Sequence, residues 1–395
     1  MAKLLFIHHS GLIGGAGVSL CNNLKTLSKA GHEVVLYAPS DPPSLMELLW
    51  QEYPKVQLKT YGRRIGAITY YSGGDSVFSL RFWYRLTLIL KQWRYWNHTI
   101  ERENPDIVAM NSTILCWMSM LAAVRRRKSV CFVRETKVGS ANNLLNRIIH
   151  WLLEHFTHVV FISQYDQQRE ALTTAASTVI CDYVDADKLD NTLRRHDAER
   201  RLGLQPGVFR ALYVGGVSPM KGFDLAVEAV LKCKQPVELL VAGMGFEEAQ
   251  KVASKSLRDY AIRMQNELAG DTSGRIVMLG VQKDMSACYA ACDVLLFPMR
   301  SPHQARPAFE AGYFGKPFII SDFENIREFV VDGENGYVVP PENAVAIAEK
   351  LDDLATHPEK ARQLGEANCC RCLQNHAGKT NCQAVRTLLE GLVSA

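Results

Sequence analysis

The chain has 395 residues, 47% of them apolar and 22% charged, enough apolar content for two hydrophobic cores. No apolar run approaches the roughly 18 to 20 residues that a bilayer-crossing helix needs; Leu86 to Leu90 and Ile148 to Leu153 are short or interrupted, so a membrane-spanning protein is excluded. A formal charge of +4 gives no reason to expect nucleic acid as a partner, and eleven scattered cysteines behind a start without a signal-peptide pattern point to a reducing cytoplasm.

In chain order, Leu4 to His8 reads as a strand, Ser10 to Gly17 as a glycine-rich turn, Val18 to Ala30 as a helix stopped by Gly31, and Glu33 to Ala38 as a second strand. Between Arg63 and Trp96 six basic residues stand against one acid, Asp75, and three of the chain's six tryptophans fall there. Within that stretch Phe82, Leu86, Ile89, Trp93 and Trp96 recur at helical spacing, which predicts an amphipathic helix ending before Pro105. Ile107 to Met110, Val130 to Val133 and Val159 to Ile162 read as further strands. Asp182 to about Pro206, polar and charged, reads as a link between domains. Strand patterns return at Ala211 to Val214, Leu239 to Ala242, Ile276 to Leu279, Val294 to Phe297 and Phe318 to Ser321, and the stretch from Asn343 is helical. Alternating strands and helices of this kind are the mark of parallel α/β domains.

One segment carries the strongest chemical signal. Tyr213-Val-Gly-Gly-Val-Ser-Pro-Met-Lys-Gly-Phe-Asp224 reads as a strand end, a glycine turn and a lysine at the start of a helix near Phe223. Backbone N–H groups and a point positive charge meet there, a combination that favours a phosphate. Downstream come the buried-strand pattern Cys292 to Pro298, a helix from Arg306 with proline at its start and Gly315 at its end, a strand over Lys316 to Asp322, and two glycine turns over Asp332 to Pro340.

This order of segments resembles the nucleotide-sugar-binding domain of GT-B-fold retaining glycosyltransferases of family 4, most strongly from Tyr213 to Pro340. The resemblance implies two Rossmann-like parallel α/β domains facing a cleft. An acceptor-binding domain is expected over 1–190, a nucleotide-sugar domain over 205–375, and a helix over 376–395 returning to pack on the first. It implies no cofactor beyond a nucleoside diphosphate sugar, with UDP or GDP as the nucleotide.

Residue by residue, Lys221 is the group that neutralises the donor diphosphate as leaving-group charge develops, against the plain reading of a solvated lysine. Glu310 matches the second of the family's two glutamates separated by seven residues and is expected to accept hydrogen bonds from ribose hydroxyls; a helix-start acid is the alternative. Two positions depart from the pattern: Pro302 replaces the first glutamate, and Gly216, after Gly215, stands where many relatives carry arginine. The loop residues His303, Gln304 and Arg306 are candidate replacements, Arg306 by gripping a phosphate bidentately. Gly280 and Val281 are expected at the base. In the first domain, Gly14 and Gly15 lie on the loop that the resemblance turns toward the diphosphate and acceptor. Glu135 is a candidate for acceptor positioning or base assistance, with a surface ion pair as its rival, and Asn111 and Ser163 are weaker cleft candidates. Asp185-Ala-Asp187 is not read as a metal site, since it lies in the expected linker and the resembled fold does not generally use one there, nor are Cys369, Cys370, Cys372, His376 and Cys382, since paired Cys-x-x-Cys knuckles are missing.

The expected protein is a metal-independent retaining transferase, with Lys221, Glu135 and Arg306 as catalytic candidates. It acts on a saccharide acceptor, lipid-linked as in bacterial surface polysaccharide assembly. The basic aromatic stretch 63–96 suggests docking at the inner face of an anionic membrane, against an ordinary core helix with a solvated basic face. An epimerase and a catalytically silent binding subunit are the rival readings.

Overall fold

A computed structural model describes residues 1–11, 15–40, 55–71, 74–137, 139–140, 143–252 and 254–394. It divides into two units, Met1–Tyr183 with Gly378–Ala395, and Val184–Ala377.

The first unit is built on a parallel sheet of β1 (Lys3–Ile7), β2 (Glu33–Ala38), β3 (Val56–Thr60), β4 (Ile107–Met110), β5 (Lys128–Val133), β6 (His158–Phe161) and β7 (Ala176–Val179), in the order β3-β2-β1-β4-β5-β6-β7. Its helices are α1 (Gly15–Lys29), α2 (Leu80–Glu103), α3 (Ser119–Val124), α4 (Leu144–Leu153) and α5 (Gln164–Glu170). Successive strand residues point to opposite faces, and both faces are covered, which is why β1 is apolar at every position from Leu4 to Ile7. Leu5 and Ile7 join Trp96 and Ile100 of α2 and Ile149 and Leu152 of α4 in one core. Leu4 and Phe6 join Leu20 and Leu24 of α1 in the other, together with Val385 and Leu389 of the terminal helix Gly378–Ser394. α1 starts at Gly15, earlier than Val18. α2 starts where the Ser79 hydroxyl accepts from the Phe82 N–H and stops at Asn104, in the left-handed region at φ 46°.

The second unit holds β8 (Phe209–Val214), β9 (Val237–Ala242), β10 (Ile276–Gly280), β11 (Val294–Phe297), β12 (Phe318–Ser321) and β13 (Tyr337–Val339), also parallel, in the order β10-β9-β8-β11-β12-β13. Its helices are α6 (Arg195–Leu202), α7 (Phe223–Lys232), α8 (Phe246–Lys251), α9 (Lys255–Ala269), α10 (Ser286–Ala291), α11 (Arg306–Tyr313), α12 (Ala344–Thr356) and α13 (Pro358–Asn375). Ala211 and Tyr213 pack with Phe223, Ala226 and Val230 of α7 on one face, while Leu212 and Leu240 pack with Tyr289 and Ala308 on the other. In each sheet the strand order reverses once, between β1 and β4 and between β8 and β11. Such a switch point leaves room at the carboxyl ends of the strands for a ligand.

The linker expected over Asp182 to Pro206 is corrected here. The chain passes from one unit to the other at Tyr183–Val184, and α6 is an integral part of the second unit, with Ala198 fully buried in its core. The misleading charges serve an internal network. Arg195 pairs with Asp293 and Glu199, and the fully buried Arg210 donates to Glu199 and Glu238, each at 2.8 Å. Breaking such a network strands a buried carboxylate, so Arg210→Met should lower the unfolding free energy by about 3 kcal/mol. The urea midpoint reads this directly; a midpoint matching the parent protein would show that the ion pairs do not anchor α6.

Candidate active site

The loop that follows β8 runs against the loop that follows β9, backbone on backbone. Gly215 and Gly216 N–H both donate to the Ala242 carbonyl, at 3.0 and 3.1 Å, and Val217 N–H donates to Met244 O at 2.8 Å. The expectation that these amides face a phosphate is therefore corrected: neighbouring carbonyls already occupy them. The same contact explains why Gly216 cannot be an arginine. Its φ is +62°, and a Cβ there would lie 2.4 Å from Met244 N.

What the turn offers is Lys221. Its side chain lies along Gly215, where an added Cβ would meet Lys221 Cδ at 2.8 Å. It is half-buried and has no ion-pair partner among the described residues, and burial lowers its pKa. The turn around it is braced by Arg300, which the sequence reading missed. Arg300 donates to Pro219 O at 2.6 Å, to both carboxylate oxygens of Asp224 at 2.7 Å, and to Glu342 at 2.8 Å. Tyr260 adds a hydrogen bond to Asp224 at 2.9 Å. Asp224 at a helix start and Arg300 after a strand carry no signal singly, since 75 residues separate them. Gly222, at φ +74°, lets this helix start touch the chain after β11; a Cβ there would stand 1.9 Å from Pro298 O.

His303 lies in that same loop after β11. Burial, together with the Lys221 charge, pushes its pKa down to about 4, so the imidazole is neutral near pH 7. Asn325 holds the loop by donating to His303 O at 3.0 Å. Ser301 Oγ is buried without a hydrogen-bond partner, while Gln304 is half-buried nearby in sequence. On α11, Glu310 accepts from the Tyr289 hydroxyl at 2.8 Å and from Arg306 at 3.3 Å. Arg306 is thus joined to Glu310 one turn away, with its guanidinium over the Phe309 ring, and each Glu310 oxygen keeps lone-pair capacity. Gly280 closes β10 at φ +69° with its carbonyl taken by Gly243 N–H, and Val281 beyond it is exposed.

In the first unit, Gly14 lies outside the described residues, and Gly15 opens α1 with nothing near its Cβ position. Asn111, at the end of β4, donates to Ala16 O at 3.0 Å and contacts His8 Nδ1 at 3.2 Å across the switch point, while accepting from Arg134 at 3.3 Å. Among the described residues Glu135 makes no surface ion pair. The Ser112 hydroxyl, Thr113 N–H at 2.9 Å and Arg134 N–H at 3.3 Å hold its carboxylate, and burial raises its pKa. Ser163 is 3% exposed and caps α5, accepting from Asp166 N–H and donating to Asp166 Oδ2 at 2.6 Å, so its hydroxyl serves the helix start. Among the described residues no three His, Cys, Asp or Glu side chains are grouped to hold a metal ion.

Both units match known families. The profile of Glycosyltransferase Family 4 matches residues 13–173 and that of Glycosyl transferases group 1 matches residues 194–369. A D-inositol 3-phosphate glycosyltransferase of Segniliparus rotundus is 26% identical over 192 residues, covering 47% of this chain and 40% of that protein. An uncharacterized glycosyltransferase of Methanocaldococcus jannaschii is 26% identical over 155 residues, covering 39% of this chain and 40% of that protein. The alignments thus span about 40% of these curated relatives. Among solved structures, Anabaena HepE in complex with UDP-glucose has a TM-score of 0.78 at 18% identity, covering 99% of this chain and all of that one. The two-domain architecture is therefore that of GT-B glycosyltransferases.

An unpaired, partly buried ammonium is costly, so Lys221→Met should stabilise the ligand-free protein by about 1 kcal/mol near neutral pH. Because folding lowers this lysine's pKa, the native state binds fewer protons than the unfolded chain below the ordinary lysine value. The cost is fully present below the folded pKa and disappears as pH rises through the unfolded one. Melting curves of both proteins should therefore converge at strongly alkaline pH; a gap that widens there would refute the assignment.

Proposed function

The chain belongs to the family 4, group 1 glycosyltransferases, and from that premise we propose that it moves a hexosyl or related sugar from a nucleoside diphosphate sugar to a saccharide acceptor, with retention at the anomeric carbon. Lys221 carries the reading: a half-buried cation without counter-charge, on a strand–turn–helix at the switch point of the sheet. A diphosphate supplies that counter-charge, and its negative charge grows as the glycosidic bond to the donor breaks, so the attraction is greatest in the transition state. The neutral His303 beside it donates or accepts without opposing the lysine. Glu310 accepts from ribose hydroxyls, oriented by Tyr289 and Arg306. In this reading Arg306 acts on the donor through Glu310. The leaving phosphate oxygen takes the acceptor's proton on the face where the new bond forms, so no enzymic nucleophile is needed.

The HepE neighbours were solved with UDP and with UDP-glucose, which supports uridine diphosphate sugars as the first donors to try. The rival reading of a silent subunit rests on Gly216 and Pro302, and the backbone contact with Met244 accounts for Gly216 without any loss of function. A lipid-linked acceptor in bacterial surface polysaccharide assembly, met at the cytoplasmic face of the membrane, is supported by α2. Leu80, Trp83, Tyr84, Leu90 and Tyr95 are exposed there among the exposed cations Arg81, Lys91 and Arg94. No helix among the described residues is long and apolar enough to cross a membrane.

Donor binding should raise the melting temperature with one of a panel of UDP and GDP sugars, and Lys221→Met and Glu310→Gln should each remove the rise. Proton NMR of the first product then reads its anomeric configuration; inversion would sink the retaining assignment. In sedimentation with anionic liposomes, Arg81→Gln, Lys91→Gln and Arg94→Gln together should weaken binding by about a hundredfold, near 1 kcal/mol per lost charge. Equal pelleting of both proteins would count against membrane docking.

A further inference from the structure

At the carboxyl edge of the first sheet several buried nitrogens lie without acceptors. Asn111 fixes the first of them. Its amide nitrogen donates to Ala16 O and its oxygen accepts from Arg134, so the amide cannot be turned round, and it is the nitrogen that faces His8 Nδ1. Nδ1 must then be the bare, accepting nitrogen of the ring, and the proton of the neutral imidazole sits on Nε2. His8 is 1% exposed, and Nε2 has no hydrogen-bond partner among the described residues.

The second is Arg134 Nε, buried and without a partner although the same guanidinium pairs with Asp182 and binds Asn111. The His9 ring lies against that of His8, with centroids 4.8 Å apart and planes tilted by 58°, and its Nδ1 is also buried and unpartnered. Next to it in charge terms is Arg85, whose field, after burial, helps hold the His9 pKa near 4. Arg85 Nε lies 3.5 Å from Asp75, at ion-pair range but without a hydrogen bond. The acidic neighbours are accounted for: Asp75 faces Arg81 and Arg85, Asp182 pairs with Arg134, and Glu135 is satisfied by three donors.

The orphans at this edge whose roles are fixed are donors. A sugar hydroxyl brings a donor of its own and would need an acceptor in return. A phosphate or carboxylate brings acceptors alone, matches guanidinium geometry, and gains the full strength of charge-assisted hydrogen bonds away from water. We propose that the carboxyl edge of the first sheet binds an oxyanion carried by the sugar acceptor, a phosphate or a carboxylate, through His8, His9, Arg85 and Arg134. The inference names the acceptor class of the transferase reading and rests on it, but its ligands lie in a different unit from Lys221.

The test follows the histidine ring signals of 15N-histidine-labelled protein while glycerol 1-phosphate, glucuronate, uncharged glycerol and UDP are added in separate titrations. Glycerol 1-phosphate or glucuronate should shift the His8 and His9 signals and raise the His9 pKa from about 4, glycerol should do neither, and the tighter of the two anions identifies the source. Arg85→Gln should weaken that binding by about tenfold while leaving intact the melting-temperature rise caused by the donor sugar. Should Arg85→Gln not fold, Arg85→Lys, which keeps the charge and loses the Nε–H, should show the same weakening in smaller measure. Shifts with UDP alone would assign the nitrogens to the donor, and shifts with none of the anions would remove the site; either result overturns the proposal. If anions bind while no sugar nucleotide raises the melting temperature, the donor reading fails and the oxyanion site stands.

Discussion

Helices cover both faces of each parallel sheet, and that constraint decides where chemistry can occur in this protein. β11, and β1 from Leu4 to Ile7, are buried throughout, so a polar side chain there would lack partners. Polar groups gather where the strands end and the strand order reverses. His8 and Asn111 meet across the ends of β1 and β4, and Lys221 and His303 follow β8 and β11. Neither pair is close in sequence, and in each case the sheet brings its members together.

The second sheet shows how close packing decides which groups stay available. Its loops approach so tightly that glycine is compulsory at positions 216 and 222, and the amides of Gly215, Gly216 and Val217 are committed to carbonyls. What this turn leaves unpaired among the described residues is a side chain. Lys221 is that side chain, and Arg300 fixes the turn beneath it through Pro219 and Asp224.

Legibility in the sequence followed burial. Strands such as Ile107 to Met110 and Val294 to Phe297 are apolar throughout and could be read at sight. β3 and β7 escaped notice because they are short edge strands, wet on one side, with Gln57, Lys59, Ser177 and Thr178 diluting the pattern. α6 was hidden for the opposite reason: Arg195, Glu199 and Arg210 look solvated in sequence and are partners in space. At the candidate site, Lys221 and Glu310 stand out in the sequence because a local pattern surrounds them. Arg300, Asp224 and Tyr289 act only through long-range contacts. Ser163 suggested a ligand position, whereas the N-cap it makes with Asp166 is a local helix-start pattern, Ser-x-x-Asp, that was already present in the chain.

Unsatisfied groups in a ligand-free protein cost stability, and several of them stand at the ends of the strands, although Asn22, Trp96 and Tyr213 keep unpartnered polar atoms elsewhere. The buried Arg210 binds Glu199, Glu238 and a backbone carbonyl, as a purely structural charge must. Lys221, Ser301, His8 and Arg134 each leave a polar atom without its partner among the described residues; Lys221, Ser301 and His8 follow strands at the two switch points, and Arg134 follows the neighbouring β5. Packing alone would have favoured replacing such groups by apolar ones, since an orphaned donor costs about 1 to 3 kcal/mol. Donors held in place at the ends of the strands, with the acceptors left for a ligand to supply, are the arrangement that preorganised binding uses, whereas the buried charges of α6 and β8 are matched internally.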